Sequence, residues 1–188
     1  MSIRLIVGLG NPGAEYEQTR HNAGFWFLDN LENSDMRWQK EAKFSALVSK
    51  IRINSHDVWL MNRSGLAVGA MARFFKMAPE EILVVHDELD IAPGIAKLKR
   101  SGSTGGHNGL KDIASALGTQ NFWRLRLGIG HPRSQNLKSP VIDYVLQRPR
   151  REDQDRIDDA IGRAMHVIPL LCDGQFDKAM KELHTVEK

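Results

Sequence analysis

Apolar and polar positions along this chain fall into blocks whose period keeps changing. Leu5-Ile6-Val7 with Arg4 before it is a short run of the buried-strand type, ending in Gly8-Leu9-Gly10-Asn11-Pro12-Gly13. Phe25, Leu28 and Leu31 then recur at helical spacing and predict a helix from about Asn22 to Leu31. Phe44–Ile53 alternates as a strand, Asn54-Ser55-His56-Asp57 turns, and Val58-Trp59-Leu60 returns as a second strand. Val68, Met71, Ala72 and Phe75 share one face of a helix predicted over Gly65–Met77. Ile82–Val85 is the strongest core-strand signal, and Ile95–Leu98 is a further strand candidate. A Gly/Ser/Thr loop over Ser101–Gly106 leads into a helix over Asn108–Leu117. Trp123–Ile129 alternates as a half-exposed strand with Arg124 and Arg126 on one face. From about position 138 the pattern is mainly helical, with a long segment from Arg151 to Leu171 and a short one over Lys178–His184. Strands alternating with helices through the first two thirds predict an α/β class: a single domain over 1–188, with a mixed twisted β-sheet flanked by helices.

Composition narrows the class. The chain has 188 residues, 41% of them hydrophobic and 26% charged, the profile of a soluble globular protein. Its longest apolar stretches, Ile82–Val85 and Val167–Cys172, fall far short of the ~18 residues of a membrane span. The apolar run near the N-terminus is too short for a signal peptide. A single cysteine, Cys172, excludes an intrachain disulfide and a cysteine-cluster metal site. The expectation is a cytoplasmic, monomeric protein with no membrane partner.

Charge changes the picture once it is divided along the chain. The formal net charge is only +3, yet residues 97–151 hold eleven Lys/Arg against two acids, a local charge of +9. The remainder holds 15 basic and 21 acidic residues, or −6. Such a division fits one basic face turned toward a polyanion. The same count also fits charges scattered over a solvated surface.

Gly8-x-Gly10-x-x-Gly13 after a strand matches the dinucleotide-binding fingerprint letter for letter. The fingerprint needs a helix to open inside it, so that pyrophosphate meets the helix N-terminus. Here Pro12 interrupts, Ala14–Arg20 is polar and irregular, and no acid ends a second strand at the proper distance. The glycines are read instead as a sharp turn that presents Asn11, and no cofactor is expected. Other polar groups gather where strands end: Thr19-Arg20-His21-Asn22, Met61-Asn62-Arg63-Ser64-Gly65, His86-Asp87-Glu88-Leu89-Asp90 and Gly105-Gly106-His107-Asn108-Gly109. In open α/β sheets the carboxyl ends of strands form the ligand crevice, so these groups are expected to converge. Asn62 and Asn108 fit equally as helix caps, and Ser64 as a capping hydroxyl. No metal is expected from the His86–Asp90 run, because adjacent strand residues point to opposite faces.

Tyr16-Glu17-Gln18-Thr19-Arg20-His21-Asn22-Ala23-Gly24, followed by Phe27-Leu28-Asp29, resembles the first signature of the bacterial-type peptidyl-tRNA hydrolase family. Gly105-Gly106-His107-Asn108-Gly109-Leu110-Lys111-Asp112 resembles the second. The opening Gly-Leu-Gly-Asn-Pro-Gly, the Met-Asn-x-Ser-Gly block, His-Asp-Glu-Leu-Asp and Arg-Leu-Arg-Leu-Gly-Ile-Gly-His-Pro match in order, from about Ile3 to Pro132. Two departures stand out. Val58-Trp59-Leu60 abuts Met61-Asn62 directly, where the family usually runs through a Pro-x-Thr-aromatic segment. Arg100-Ser101-Gly102-Ser103-Thr104 stands where the family loop is commonly richer in glycine and often carries an additional histidine.

The resemblance implies hydrolysis of the ester joining a peptide to tRNA, without metal, in translation and ribosome rescue. His21 is the implied general base, since histidine titrates near 6.5. Asp87 orients it and stabilises its imidazolium, and Asn11 stabilises the oxyanion. Asn62 and Asn108 are implied to hold substrate and the 3′ end, with Tyr16, Met61 and His107 lining the same cleft. Lys99 and Arg126 are implied to grip the tRNA 5′ phosphate beside the acceptor end, extended by Lys97, Arg100, Arg133 and Arg148–Arg151. A non-catalytic RNA-binding module is the alternative from a different class.

Overall fold

The structure, a computed structural model, describes residues 1–31, 38–41, 46–62 and 65–185. Seven strands form one mixed sheet: β1 (Leu5–Gly8), β2 (Gln39–Glu41), β3 (Ala46–Ile53), β4 (His56–Met61), β5 (Ile82–Glu88), β6 (Ala96–Arg100) and β7 (Trp123–Gly128). Their order is β2-β3-β4-β1-β5-β7-β6. The four inner strands β4, β1, β5 and β7 run parallel, and antiparallel pairs close both margins. Parallel inner strands place all four carboxyl ends at one edge of the sheet.

The helices are α1 (Ala23–Leu31), α2 (Gly65–Phe74), α3 (Asn108–Leu117), α4 (Val141–Val145), α5 (Arg151–Cys172) and α6 (Phe176–His184). Ile6, Leu83, Val85 and Leu125 face one core, closed by Phe27 and Leu28 of α1, Ile161 and Ile168 of α5, and Leu183 of α6. Leu5, Val7, Ile82 and Val84 face the other, closed by Val68 and Met71 of α2 and Leu110 and Ile113 of α3. The inner strands read as continuous apolar runs because helices cover both of their faces.

Several boundaries differ from the sequence reading, each for a local reason. The β3–β4 turn is two residues, Asn54 and Ser55, with φ of 47° and 71°, so His56 and Asp57 belong to the strand. This is the turn geometry whose twist suits a hairpin. The second helix stops at Phe74, and Lys76 turns out of it with φ 53°. β5 does not end at Val85 but continues through His86, Asp87 and Glu88, each paired with β7. Ser64 and the start of the segment read as a strand from Phe44 lie outside the described residues.

β7 is not half-exposed. Arg124 is 1% exposed, and its guanidinium donates to the carbonyl oxygens of Ser103 (2.6 Å), Gly102 (2.7 Å) and Gln120 (3.1 Å). The cost of burying a guanidinium is offset by the acceptors that its N–H groups find. Arg124 therefore ties down the loop after β6 instead of presenting a free cation.

Candidate active site

His21 sits on a single turn of 3₁₀ helix, Arg20–Asn22, whose flanking residues are both buried. Arg20 donates through Nη1 to Tyr144 O at 2.9 Å and stacks over the Tyr144 ring, while its N–H donates to Gln147 O at 3.0 Å. Asn22 clamps the backbone of Asn11: its Oδ1 accepts from Asn11 N–H at 2.8 Å, and its Nδ2 donates to Asn11 O at 3.0 Å. Gly10 makes room for that clamp, since a Cβ there would lie 2.8 Å from Asn22 Oδ1. The middle glycine of the false dinucleotide fingerprint thus serves an asparagine clamp. Only a single 3₁₀ turn, Ala14–Tyr16, follows Gly13, and α1 begins at Ala23.

Asp87, near the end of β5, reaches the His21 ring. Its Oδ1 lies 3.1 Å and its Oδ2 3.3 Å from His21 Nδ1. Nε2 of His21 has no hydrogen-bond partner among the described residues. A second histidine meets the same carboxylate, with His107 Nε2 at 2.9 Å from Oδ1. His107 is the N-cap of α3, and its Nδ1 accepts from Leu110 N–H at 3.4 Å. A ring nitrogen that accepts carries no proton, so the proton of neutral His107 resides on Nε2 and is donated to Asp87.

Burial alone would raise the Asp87 pKa, but the hydrogen bonds from His107 and His21 outweigh it and hold the carboxyl well below its ordinary value. At His21, burial lowers the pKa, and the hydrogen bond and charge of Asp87 reverse that into a net rise. The His86 ring packs edge-on against His107, with centroids 5.1 Å apart. Burial lowers the His86 pKa to about 3, and its Nδ1 donates to Asp87 O at 2.8 Å.

By ligand type, His21, Asp87 and His107 form a group able to hold a metal, with ligand atoms within 4.8 Å of one another. The Leu110 cap argues against it. A histidine bound to metal through Nε2 ordinarily carries its proton on Nδ1 and donates it outward. Here another donor already occupies Nδ1.

Asn11 and Asn62 line one cleft of about 460 Å³ with Asn22, Phe25, Trp26 and Leu47. Asn62 follows β4, whose last pairing is Met61 with Val7 of β1. The shortened junction before Met61 is absorbed in a strand that runs straight to its end, and Asn62 N–H approaches Leu47 O at 3.5 Å. Asn62 Oδ1 is buried and finds no hydrogen-bond partner among the described residues. Met61 departs from expectation. Its side chain is fully buried in the α2–α3 core and does not line the cleft.

Tyr16 is half-buried in the turn before His21 and does not line that cleft either. Asn108 is exposed at the first position of α3, where His107 and not Asn108 is the cap. Lys99 and Arg126 lie on adjacent strands, in register with Arg124 and Lys97 respectively. Arg126 approaches Glu88 at 3.9 Å. Sequence reasoning assigned no role to Arg20 or to the Asn22 clamp. The paired spacing of Asn11 and Asn22 inside adjacent motifs was the available signal.

A histidine held by a buried carboxylate, beside a cleft lined with asparagine amides, is the equipment of a hydrolase that activates water. The peptidyl-tRNA hydrolase family model matches residues 5–188, and the chain belongs to that family of ester-bond hydrolases. It is 56% identical to the peptidyl-tRNA hydrolase of Bordetella avium over 97% of this chain and 92% of that one. It is 53% identical to that of Cupriavidus pinatubonensis, over 99% and 100%. The solved peptidyl-tRNA hydrolase of Acinetobacter baumannii superposes with a TM-score of 0.91 at 43% identity, over 98% of this chain and 96% of that one. No described helix is long and apolar enough to cross a membrane.

Proposed function

We propose that this chain cleaves the ester between a peptide and the terminal ribose of tRNA, with His21 as general base and no metal. The observation that carries this reading is the His21 ring itself: Nδ1 is committed to Asp87, and Nε2 has no partner among the described residues. Nε2 takes a proton from water as the oxygen attacks the ester carbonyl. The Asn11 amide donates to the developing oxyanion, an effect of about 3 kcal/mol for one such donor. Collapse of the tetrahedral intermediate breaks the carbon–oxygen bond to ribose. The departing ribose oxygen takes the proton back from His21, and the peptide leaves as a carboxylic acid. The unpartnered Asn62 Oδ1 is suited to a peptide N–H, and exposed Asn108 to the 3′ end, with Tyr16 and His107 at the margin.

Neutral amides also supply selectivity. Asn11 and Asn62 carry no charge, so a free, charged α-amino group held by them would be desolvated without compensation; the two carboxylates of the cleft, Glu17 and Asp29, belong to the turn before His21 and to α1. N-acetylaminoacyl-tRNA is therefore expected to be hydrolysed, in the presence of EDTA, while unblocked aminoacyl-tRNA is spared. Equal rates on the two would overturn the selectivity argument, and loss of activity under EDTA the metal-free one.

The basic stretch supplies the grip on tRNA. Lys97 lies directly opposite Arg126 across the β6–β7 pair, and Lys99 opposite Arg124. Like charges opposite one another destabilise a sheet unless an anion lies between them. With Arg124 engaged by the loop, Lys97, Lys99 and Arg126 remain for phosphate. Phosphate contacts give affinity without reading sequence, as an enzyme acting on many tRNAs requires. Lys99→Glu is expected to raise KM and flatten its salt dependence while kcat holds, and steady-state kinetics over a salt series check this.

A further inference from the structure

β6 is the edge strand of the sheet, paired with β7. Ile95 O accepts from Gly128 N–H and Ser101 N–H donates to Phe122 O, so the odd positions of this strand bond toward β7. Alternation along an antiparallel strand turns the even positions outward, Leu98 among them. The Leu98 side chain is buried against the core that Leu183 of α6 helps close. Its outward N–H does not go unpaired: it donates to Nε2 of His184, the last residue of α6, at 3.0 Å.

We propose that His184 is a positioning residue for the tRNA grip. By accepting the Leu98 N–H it fixes the edge strand on which Lys97 and Lys99 flank that residue. The inference rests on the reading of Lys99 and Arg126 as phosphate contacts. It adds that the C-terminal helix, which supplies none of the groups proposed for the ester chemistry, sets where those cations stand. An edge strand with open N–H groups is otherwise free to fray or twist. Lys97 and Lys99 gain a fixed spacing only if the strand between them is held.

The contact requires an unprotonated Nε2, so the ring carries its proton on Nδ1. The neighbouring groups favour that state. Burial lowers the His184 pKa, and the charges of Lys97 on β6 and Arg126 on β7 lower it further, while its own helix carries Lys178 and Lys181 with Asp177 and Glu182. The cations that await phosphate thus help keep His184 in the form that anchors their strand.

The test compares wild type, His184→Phe, His184→Gln and Lys99→Glu on N-acetylaminoacyl-tRNA, with Leu98 amide exchange followed by NMR. Phe fills the ring's space without an acceptor, whereas the Gln side-chain oxygen can accept. Loss of one such hydrogen bond predicts about a three- to tenfold rise in KM for His184→Phe. Its kcat is expected to stay at the wild-type value, which also shows that the variant is folded, and Leu98 exchange is expected to quicken. His184→Gln is expected to restore both KM and protection. An unchanged KM in the Phe variant, a kcat that falls along with it, or a Gln variant that restores neither would overturn the inference. Lys99→Glu separates the two readings. If it raises KM and His184→Phe does not, only the His184 inference fails; if Lys99→Glu leaves KM unchanged, the grip itself fails.

Discussion

Replacing His21 with Ala is expected to lower kcat on N-acetylaminoacyl-tRNA by about 10²–10⁴-fold, the range a positioned general base supplies. KM should hardly move, because Lys99, Arg126 and the asparagine-lined cleft remain. The fold should hold as well: Asp87 keeps its 2.9 Å contact with His107 Nε2, so its buried charge is not orphaned. Wild-type kcat in this variant, measured with EDTA present, would remove His21 from the mechanism. The pH dependence follows the same logic. A general base must be neutral, and the Asp87 contact outweighs burial to raise the His21 pKa. Activity of the wild type is therefore expected to climb with pH through that raised value, above the ordinary 6.5. Stability moves in the opposite sense. A group whose folded pKa is raised contributes fully below its unfolded pKa and loses that contribution as pH rises through the folded one. The ion pair therefore gives way over the same window in which the base becomes competent.

The motif residues His21, Asp87 and Asn11 were legible in the sequence because their signatures are local, each a short block at a strand end. The alternation of strands and helices likewise gave the α/β layering, since apolar runs of strand length need helices on both faces. What escaped was set by partners distant in the chain. Arg124 alternates with leucines and so looks solvent-facing, yet three carbonyls from two loops accept from its Nη1 and Nη2 inside the protein. Nothing in Gly102, Ser103 or Gln120 announces a shared guanidinium. Met61 adjoins a cleft residue in sequence, but period two on a strand turns the two side chains to different faces. Asn108 had the composition of a cap, while the cap is His107, whose ring also meets Asp87. That double use follows from where α3 begins relative to the end of β5, a relation that spacing along the chain does not encode.

Asp87→Asn should be nearly as damaging as loss of the base, and for a reason that turns on His107. Leu110 N–H fixes His107 as a donor through Nε2, so the residue at position 87 must offer it an oxygen. An asparagine that meets this demand with Oδ1 places its amide nitrogen where Oδ2 now stands, 3.3 Å from His21 Nδ1. The imidazole then accepts at Nδ1 and carries its proton on Nε2, the atom proposed to take a proton from water. A carboxylate-to-amide change that reverses the tautomer in this way costs about 10⁴-fold in kcat in a comparable hydrolase site. His21→Ala and the double variant should be no worse than additive, and in fact less, since the two residues act as one unit. The residual activity carries a second signature. Without the carboxylate only burial acts on His21, which lowers its pKa, so the pH inflection should move downward from the wild-type position. A kcat–pH profile of Asp87→Asn reads both effects at once. An inflection that stays in place would mean that Asp87 does not set the protonation of His21. A kcat that stays high with a shifted inflection would mean that it sets the charge but not the tautomer.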